Sequence, residues 1–243
     1  MNKISNSDLN ELKKQYQGEA LDIVLNKVES GYPVQYLIGN VNFCGNIINV
    51  SEDVLIPRFE TEFLIDLIKN KIDTNANNKI IDLGTGSGCI AITIAKIFTN
   101  SEVEGIDISK KAIDIANTNK KMNLVTNVTF KQKDINDIKN FDEYNIIISN
   151  PPYVSKSEEV GPETKYEPQN AIFAENDGLY FYEEIIKKVS NSNQKPSDIF
   201  FEIGMNQGSK IKDLSTKLLF DYKCDIYKDL AGKERYIHIY VNK

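Results

Sequence analysis

Tryptophan is absent from this 243-residue chain, histidine occurs once and cysteine three times. The cysteines, Cys44, Cys89 and Cys224, stand far apart, so no CxxC zinc or redox site can form and no disulfide framework is encoded. A reducing, cytoplasmic setting is the expectation. His238 is the only histidine. A histidine-rich metal site is therefore impossible, no metal is expected, and any Ser-His or Cys-His relay would have to pass through this one ring. Its surroundings, Tyr236 to Val241, read instead as a strand near the C-terminus. Long apolar runs are missing as well. The longest, Cys89 to Phe98, is broken by Thr93 and Lys96, far short of the ~20 residues a membrane span needs. Met1 to Asn6 has no apolar run behind it, so no secretory leader is visible. The net charge of −6 argues against broad nucleic-acid binding. What remains, 41% hydrophobic and 26% charged residues, is ordinary globular composition for one large domain with a small appendage.

Periodicity divides the chain. Residues 7–17 and 19–30 read as two short helices; Leu21, Val24, Leu25 and Val28 form one apolar stripe, and Gly31 ends it. Neither can bury its stripe alone, so residues 1–31 form a small helical region. Residues 32–58 read as a linker, with strand-like residues either side of Gly45-Asn46 suggesting a hairpin. From 59 to 243 the chain reads as one domain. Thr61 to Asn70 is its first helix, with Phe63, Leu64, Leu67 and Ile68 inward and Glu60 and Glu62 near its positive end. Strand–helix alternation follows. The strands are Ile80–Leu83, Val103–Asp107, Val128–Phe130, Asn145–Ser149 and Asp198–Ile203. Helices cover Gly88–Phe98, the segment from Ser109 with Ala112, Ile115, Ala116 and Met122 buried, and Leu179–Val189. Two last strands, Cys224–Tyr227 and Tyr236–Val241, flank a turn at Ala231-Gly232. The fold class is α/β: a doubly wound, Rossmann-like, mostly parallel sheet with helices on both faces and an antiparallel last strand.

The loop after the first strand of the alternation is Asp82-Leu83-Gly84-Thr85-Gly86-Ser87-Gly88. Cys89 stands where GxGxxG requires glycine, which disfavours a dinucleotide pyrophosphate site. The spacing matches the DxGxGxG loop of class I methyltransferases that use S-adenosyl-L-methionine (AdoMet). A tight strand–helix turn is the plainer alternative. Asp107 ends the next strand at the same sheet edge, where a carboxylate can accept both ribose hydroxyls; its alternative is a helix cap, a role Ser109 can fill. Asp134 and Ile135 follow the third strand, where such folds flank adenine with a polar and an apolar side chain, unless they form only a solvated turn.

The fourth strand of the alternation ends in Ser149-Asn150-Pro151-Pro152-Tyr153. Tandem prolines remove two backbone donors and hold the chain extended. The loop offers the Asn150 amide and carbonyl oxygens, and few N–H groups. An amide or exocyclic amine is a poor nucleophile because its lone pair is delocalised. Two acceptors, the Asn150 side-chain oxygen and the Pro151 carbonyl, would hold its N–H groups, aim the nitrogen at a methyl group and stabilise the charge that develops. Tyr153 would stack on the planar group. The structural alternative is a Pro-Pro loop that merely ends a strand.

With the glycine loop and Asn150–Tyr153 go Pro33 to Gly39, Leu55 to Glu62, Glu167-Pro168, Asp177-Gly178-Leu179, Glu202-Ile203-Gly204 with Gln207, and Asp229 to Lys233. From about Tyr32 onward the chain resembles the HemK/PrmC protein-glutamine methyltransferases. The resemblance implies an enzyme that transfers a methyl group from AdoMet to the side-chain amide of the glutamine in the GGQ motif of peptide chain release factors, supporting translation termination. It implies that Gly84, Thr85, Gly86, Ser87, Gly88 and Asp107 bind AdoMet, with Asp134 and Ile135 at the adenine. Asn150 would touch cofactor and substrate, and Asn150, Pro151, Pro152 and Tyr153 would hold the glutamine amide. Release factors are the expected partner, with no nucleic acid, no membrane, and a monomeric enzyme. Phe59 stands where that family usually has proline, and the helical region before Pro33 is shorter than usual. The competing readings are a ribosomal-protein glutamine methyltransferase or an adenine-amino methyltransferase with the same site, and a non-catalytic nucleotide-binding module.

Overall fold

In the computed structural model, residues 4–241 are described. The chain opens with helices α1 (Asn6–Gln15), α2 (Glu19–Glu29) and α3 (Val34–Ile38). Ser5 caps α1 by accepting from the Asp8 N–H, and Gly31 (φ 94) turns the chain out of α2. α3 was not foreseen: its five residues are too few to show a period.

The hairpin follows, β1 (Asn40–Phe43) with β2 (Asn46–Asn49). Its turn is Cys44-Gly45, one residue earlier than the Gly45-Asn46 of the sequence reading. Both turn residues have positive φ, 47° and 76°, as a type I′ turn demands. The register is fixed by side chains. Asn42 accepts the Gly45 N–H, and Glu62 accepts the Cys44 N–H from the following helix.

That helix, α4 (Phe59–Lys71), leads into β3 (Lys79–Leu83), α5 (Cys89–Ile97), β4 (Glu102–Asp107), α6 (Lys110–Met122) and β5 (Val128–Gln132). After β6 (Ile146–Ser149) comes a segment with a small parallel pair, β7 (Val154–Ser155) and β8 (Phe173–Ala174). The chain ends with α7 (Tyr180–Ser190), β9 (Asp198–Glu202), α8 (Gly208–Leu218), β10 (Tyr222–Lys228) and β11 (Glu234–Val241). Seven strands form one sheet in the order β10-β11-β9-β6-β3-β4-β5. β6, β3, β4, β5 and β9 run parallel, and β11 is antiparallel to both its neighbours. The antiparallel last strand is as expected, and it lies inside the sheet rather than at the edge.

Alternate residues of the central strands feed two cores. Ile80, Ile146, Ile148 and Phe200 pack against α4, α5 and the hairpin side chains Phe43 and Ile48. Ile81, Leu83, Ile147, Ile199 and Phe201 pack against α7 and α8 through Tyr182, Ile185, Ile186 and Ile211. Runs that are apolar at every position are what a sheet buried on both faces needs. His238 is a β11 core residue, stacked on Phe200 and Tyr240 and bonded to Asp198 at 2.7 Å. On α6 the buried face is Ala112, Ile113, Ala116 and Asn119, and Met122 is exposed. The inward stripe is displaced from the expected one because a polar side chain lies on it. Asn119 accepts the Asn49 N–H and donates to the carbonyls of Asn49 and Ser87. It thereby ties the hairpin to the glycine loop.

Candidate active site

β3 and β6 pair in parallel with Leu83 opposite Ser149, and the Ser149 hydroxyl donates to the Leu83 carbonyl at 2.7 Å. The glycine loop and Asn150 therefore leave the sheet side by side, one strand spacing of about 4.8 Å apart. Chain order reverses at this point, which is where doubly wound sheets bind ligands. A cavity of about 420 Å³ opens there, within the roughly 300–1,000 Å³ of small-molecule sites.

Gly84, Gly86, Asp107, Asp134, Ile135, Asn150 and Pro152 all line this cavity. Gly84 and Gly86 have positive φ, and a Cβ on Gly84 would meet nothing within 4 Å; a side chain there would stand in the cavity itself. Thr85, Ser87 and Gly88 are buried instead and are not part of the lining. The Thr85 hydroxyl donates to Asp82 at 2.6 Å. Gly88 adopts φ 81° as the N-cap of α5, and a Cβ there would lie 2.9 Å from Phe130 and 3.0 Å from Ala116. These three shape the loop from behind.

Asp107 accepts the Gly86 N–H at 2.9 Å on one oxygen and the Ser109 N–H at 2.8 Å on the other. It fastens the glycine loop, and each oxygen keeps acceptor capacity for a ribose hydroxyl. Burial raises its pKa against the pull of those backbone N–H groups. Asp134 accepts the Asn136 N–H, and Ile135 is a buried wall. A second wall is Phe181 from α7, beside Tyr180, whose hydroxyl donates to Asn136. Phe181 was not foreseen, because nothing local marks which side of a helix faces a cavity. The linker residues Glu52–Leu55 and, ahead of α7, Pro168, Asn170 and Ala171 also line it. The two are joined through Glu167, which accepts the Ile56 N–H at 3.1 Å and pairs with Arg58.

Asn150 is half-buried, and its Nδ2 donates to the Thr61 hydroxyl at 3.3 Å. Among the described residues, neither the Asn150 Oδ1 nor the Pro151 carbonyl receives a hydrogen bond. Pro151 is buried, and Tyr153 packs against the α7 and α8 core rather than lining the cavity. Burial and the neighbouring Glu202 push the Tyr153 phenol up to about 12. Gln207 holds this strand end from outside: its Nε2 donates to the Tyr153 carbonyl at 2.9 Å, and its Oε1 accepts the Gly204 N–H.

The cavity fits AdoMet: an open glycine cradle, a carboxylate with spare acceptors, apolar walls for a planar base, and the Asn150 side chain beside them. Sheet order and site together define a class I, Rossmann-like, AdoMet-dependent methyltransferase. Residues 59–171 match the Methyltransferase small domain family. The chain is 38% identical over 234 residues to the release factor glutamine methyltransferase of Fusobacterium nucleatum, covering 93% of this chain and 65% of that protein. It is 37% identical over 219 residues to the Lactococcus lactis protein of the same name, covering 89% and 80%. Among solved structures, M. jannaschii TYW2 in complex with AdoMet superposes with a TM-score of 0.53 at 16% identity, covering 83% of this chain and 84% of that one. This chain belongs to the release factor glutamine methyltransferase family. Among the described residues no helix is long and apolar enough to cross a membrane.

Proposed function

We propose that this protein transfers a methyl group from AdoMet to the side-chain amide nitrogen of a glutamine in a peptide chain release factor. The observation that carries the reading is Asn150, which lines the cavity beside the glycine cradle while its Oδ1, among the described residues, receives no hydrogen bond. The family supports the choice of glutamine and of a release factor.

AdoMet, when bound, supplies an electrophilic methyl group on sulfur. Asp107 accepts from the ribose, and Ile135 and Phe181 flank the adenine with Asp134 at its polar edge. The substrate amide gives one N–H to Asn150 Oδ1 and the other to the Pro151 carbonyl, which orients its nitrogen and removes water from it. The nitrogen would take up the methyl group that AdoMet would supply, leaving the sulfur neutral, and the two oxygens would stabilise the positive charge developing on that nitrogen. The surplus N–H proton then leaves to water, so no strong base is needed before attack. The enzyme acts as a monomer in the cytoplasm, where its substrate works.

The test is mass spectrometry after incubation with isotopically labelled AdoMet and, separately, release factors, ribosomal proteins and DNA. Label on the release-factor glutamine alone supports the reading; label on a ribosomal protein or on adenine alone would falsify it.

A further inference from the structure

An amide can be held either way round, and its two ends do opposite things. If the Asn150 carboxamide were reversed, its NH2 would face the NH2 of the substrate, donor against donor. Something must therefore set its direction, and the groups behind it do. Asn150 Nδ2 lies 3.3 Å from Thr61 Oγ1, and the Thr61 hydroxyl donates to Glu202 Oε2 at 2.7 Å. Thr61 and Glu202 are 2% and 1% exposed, so water does not substitute for either bond. A hydroxyl carries one proton. Once Thr61 gives it to the carboxylate, its oxygen can only accept, and only the NH2 end of Asn150 can supply the donor.

We infer that Thr61 and Glu202 are positioning residues that hold the Asn150 carboxamide with its oxygen toward the substrate. The inference rests on the acceptor role given to Asn150 above. It assigns to the first helix turn of α4 and the end of β9 a part in catalysis that neither the glycine loop nor the Asn150–Tyr153 motif contains.

The direction depends on Glu202 being charged. A protonated carboxyl can donate to Thr61, whose own proton is then free to point at Asn150, and the chain can run backwards. Several groups face this carboxyl. Arg235 on β11 favours the charged form and Glu60 on α4 opposes it. The phenols of Tyr153, of Tyr182 on α7 and of Tyr236 on β11 stand in its field, and the Tyr182 hydroxyl donates to the Glu202 backbone carbonyl at 2.8 Å. Burial is the largest influence and raises the carboxyl to about 7, against the hydrogen bond from Thr61. Acidification through neutrality therefore removes the fixed direction.

Two measurements test this. In the first, the Asn150 side-chain NH2 signals are followed by 15N NMR from about pH 5.5 to 8.5, assigned by their loss in Asn150→Ala. They should titrate with a midpoint near 7 in the wild type and not in Glu202→Gln. Signals that are flat in the wild type, or that titrate unchanged in Glu202→Gln, overturn the inference whatever the methyl acceptor is. In the second, single-turnover transfer to a release factor is measured with AdoMet saturating. Thr61→Val should lower the rate by about tenfold, the scale of one hydrogen bond, with AdoMet affinity within about twofold. Thr61→Ser, which keeps the hydroxyl, should recover most of the loss. The wild-type rate should fall on acidification with the NMR midpoint, and the Glu202→Gln rate should not. A wild-type rate in Thr61→Val beside a slow Asn150→Ala overturns the positioning role and leaves the acceptor role standing. A wild-type rate in Asn150→Ala overturns both.

Discussion

One end of the Asn150 carboxamide is engaged by Thr61 and the other is open. Removing the whole group therefore has a sharper expected effect than at most polar sites. Asn150→Ala should slow methyl transfer by a factor on the order of 10² or more, the scale for losing one preorganised polar group. AdoMet affinity should fall much less, because the glycine loop and Asp107 remain. Single-turnover kinetics at saturating AdoMet, with calorimetry alongside, separate the two; an unchanged rate would make the Asn150–Tyr153 loop purely structural. Asp107 is the converse case. It faces the cavity and also holds the Gly86 and Ser109 N–H groups. Asp107→Ala should weaken AdoMet binding by roughly 1.5–3 kcal/mol, the scale of hydrogen bonds to a charged group, and calorimetry reads it directly. Equal affinity in the variant would take Asp107 out of the site.

The long segment between β6 and α7, to which the substrate is assigned in the proposed function, is pinned where backbone meets backbone. Gly178 has φ 79°, and a Cβ there would lie 2.0 Å from the Tyr153 carbonyl oxygen, the same oxygen that Gln207 holds. No rotamer relieves a contact between two main chains. Gly178→Ala should cost roughly 1–3 kcal/mol of stability in urea unfolding and slow methyl transfer by displacing the end of the Asn150–Tyr153 segment; a variant as stable and as fast as the wild type would show that the segment tolerates sliding. The sequence discloses such elements unevenly. The glycine turn, the strand end at Asp107 and the extended Asn150-Pro151-Pro152-Tyr153 segment are legible because adjacent residues force their local conformation. The parallel strands are legible because burial on two faces leaves unbroken apolar runs. Thr61 and Glu202 each stand in a recognisable segment, yet nothing local says that they meet. Only the sheet order, with α4 laid against β9, brings them together. Phe181 escapes for a related reason, and Asn119 because an apolar-stripe rule has no place for a buried amide that bridges two loops.

At the scale of the whole molecule, two carboxyls sit deep in the fold, Asp82 bonded to Thr85 of the glycine loop and Glu202 bonded to Thr61. Burial raises both to about 7, against ordinary values of 3.8 and 4.5. Between those values the folded protein keeps protons that the unfolded chain has released, so these groups make stability fall as pH rises through that window. The urea midpoint should accordingly drop between about pH 4 and 7 and level off above. Asp82→Asn, which cannot titrate, should flatten the slope; equal slopes would mean that this carboxyl is already ionised in the fold. The same arrangement has a consequence in time. Thr61 lies 89 residues before Asn150, and Glu202 is 141 residues beyond Thr61. A chain still emerging from the ribosome has its glycine loop and its proline pair long before it has β9. On the inference drawn above, the Asn150 amide lacks its positioning contacts until that strand inserts. Regained methyl transfer during refolding should thus follow the slowest phase seen by far-ultraviolet circular dichroism, while AdoMet binding returns earlier. On that reading, methyl transfer would wait on a contact that spans 141 residues, although every residue of the Asn150–Tyr153 segment is made before it.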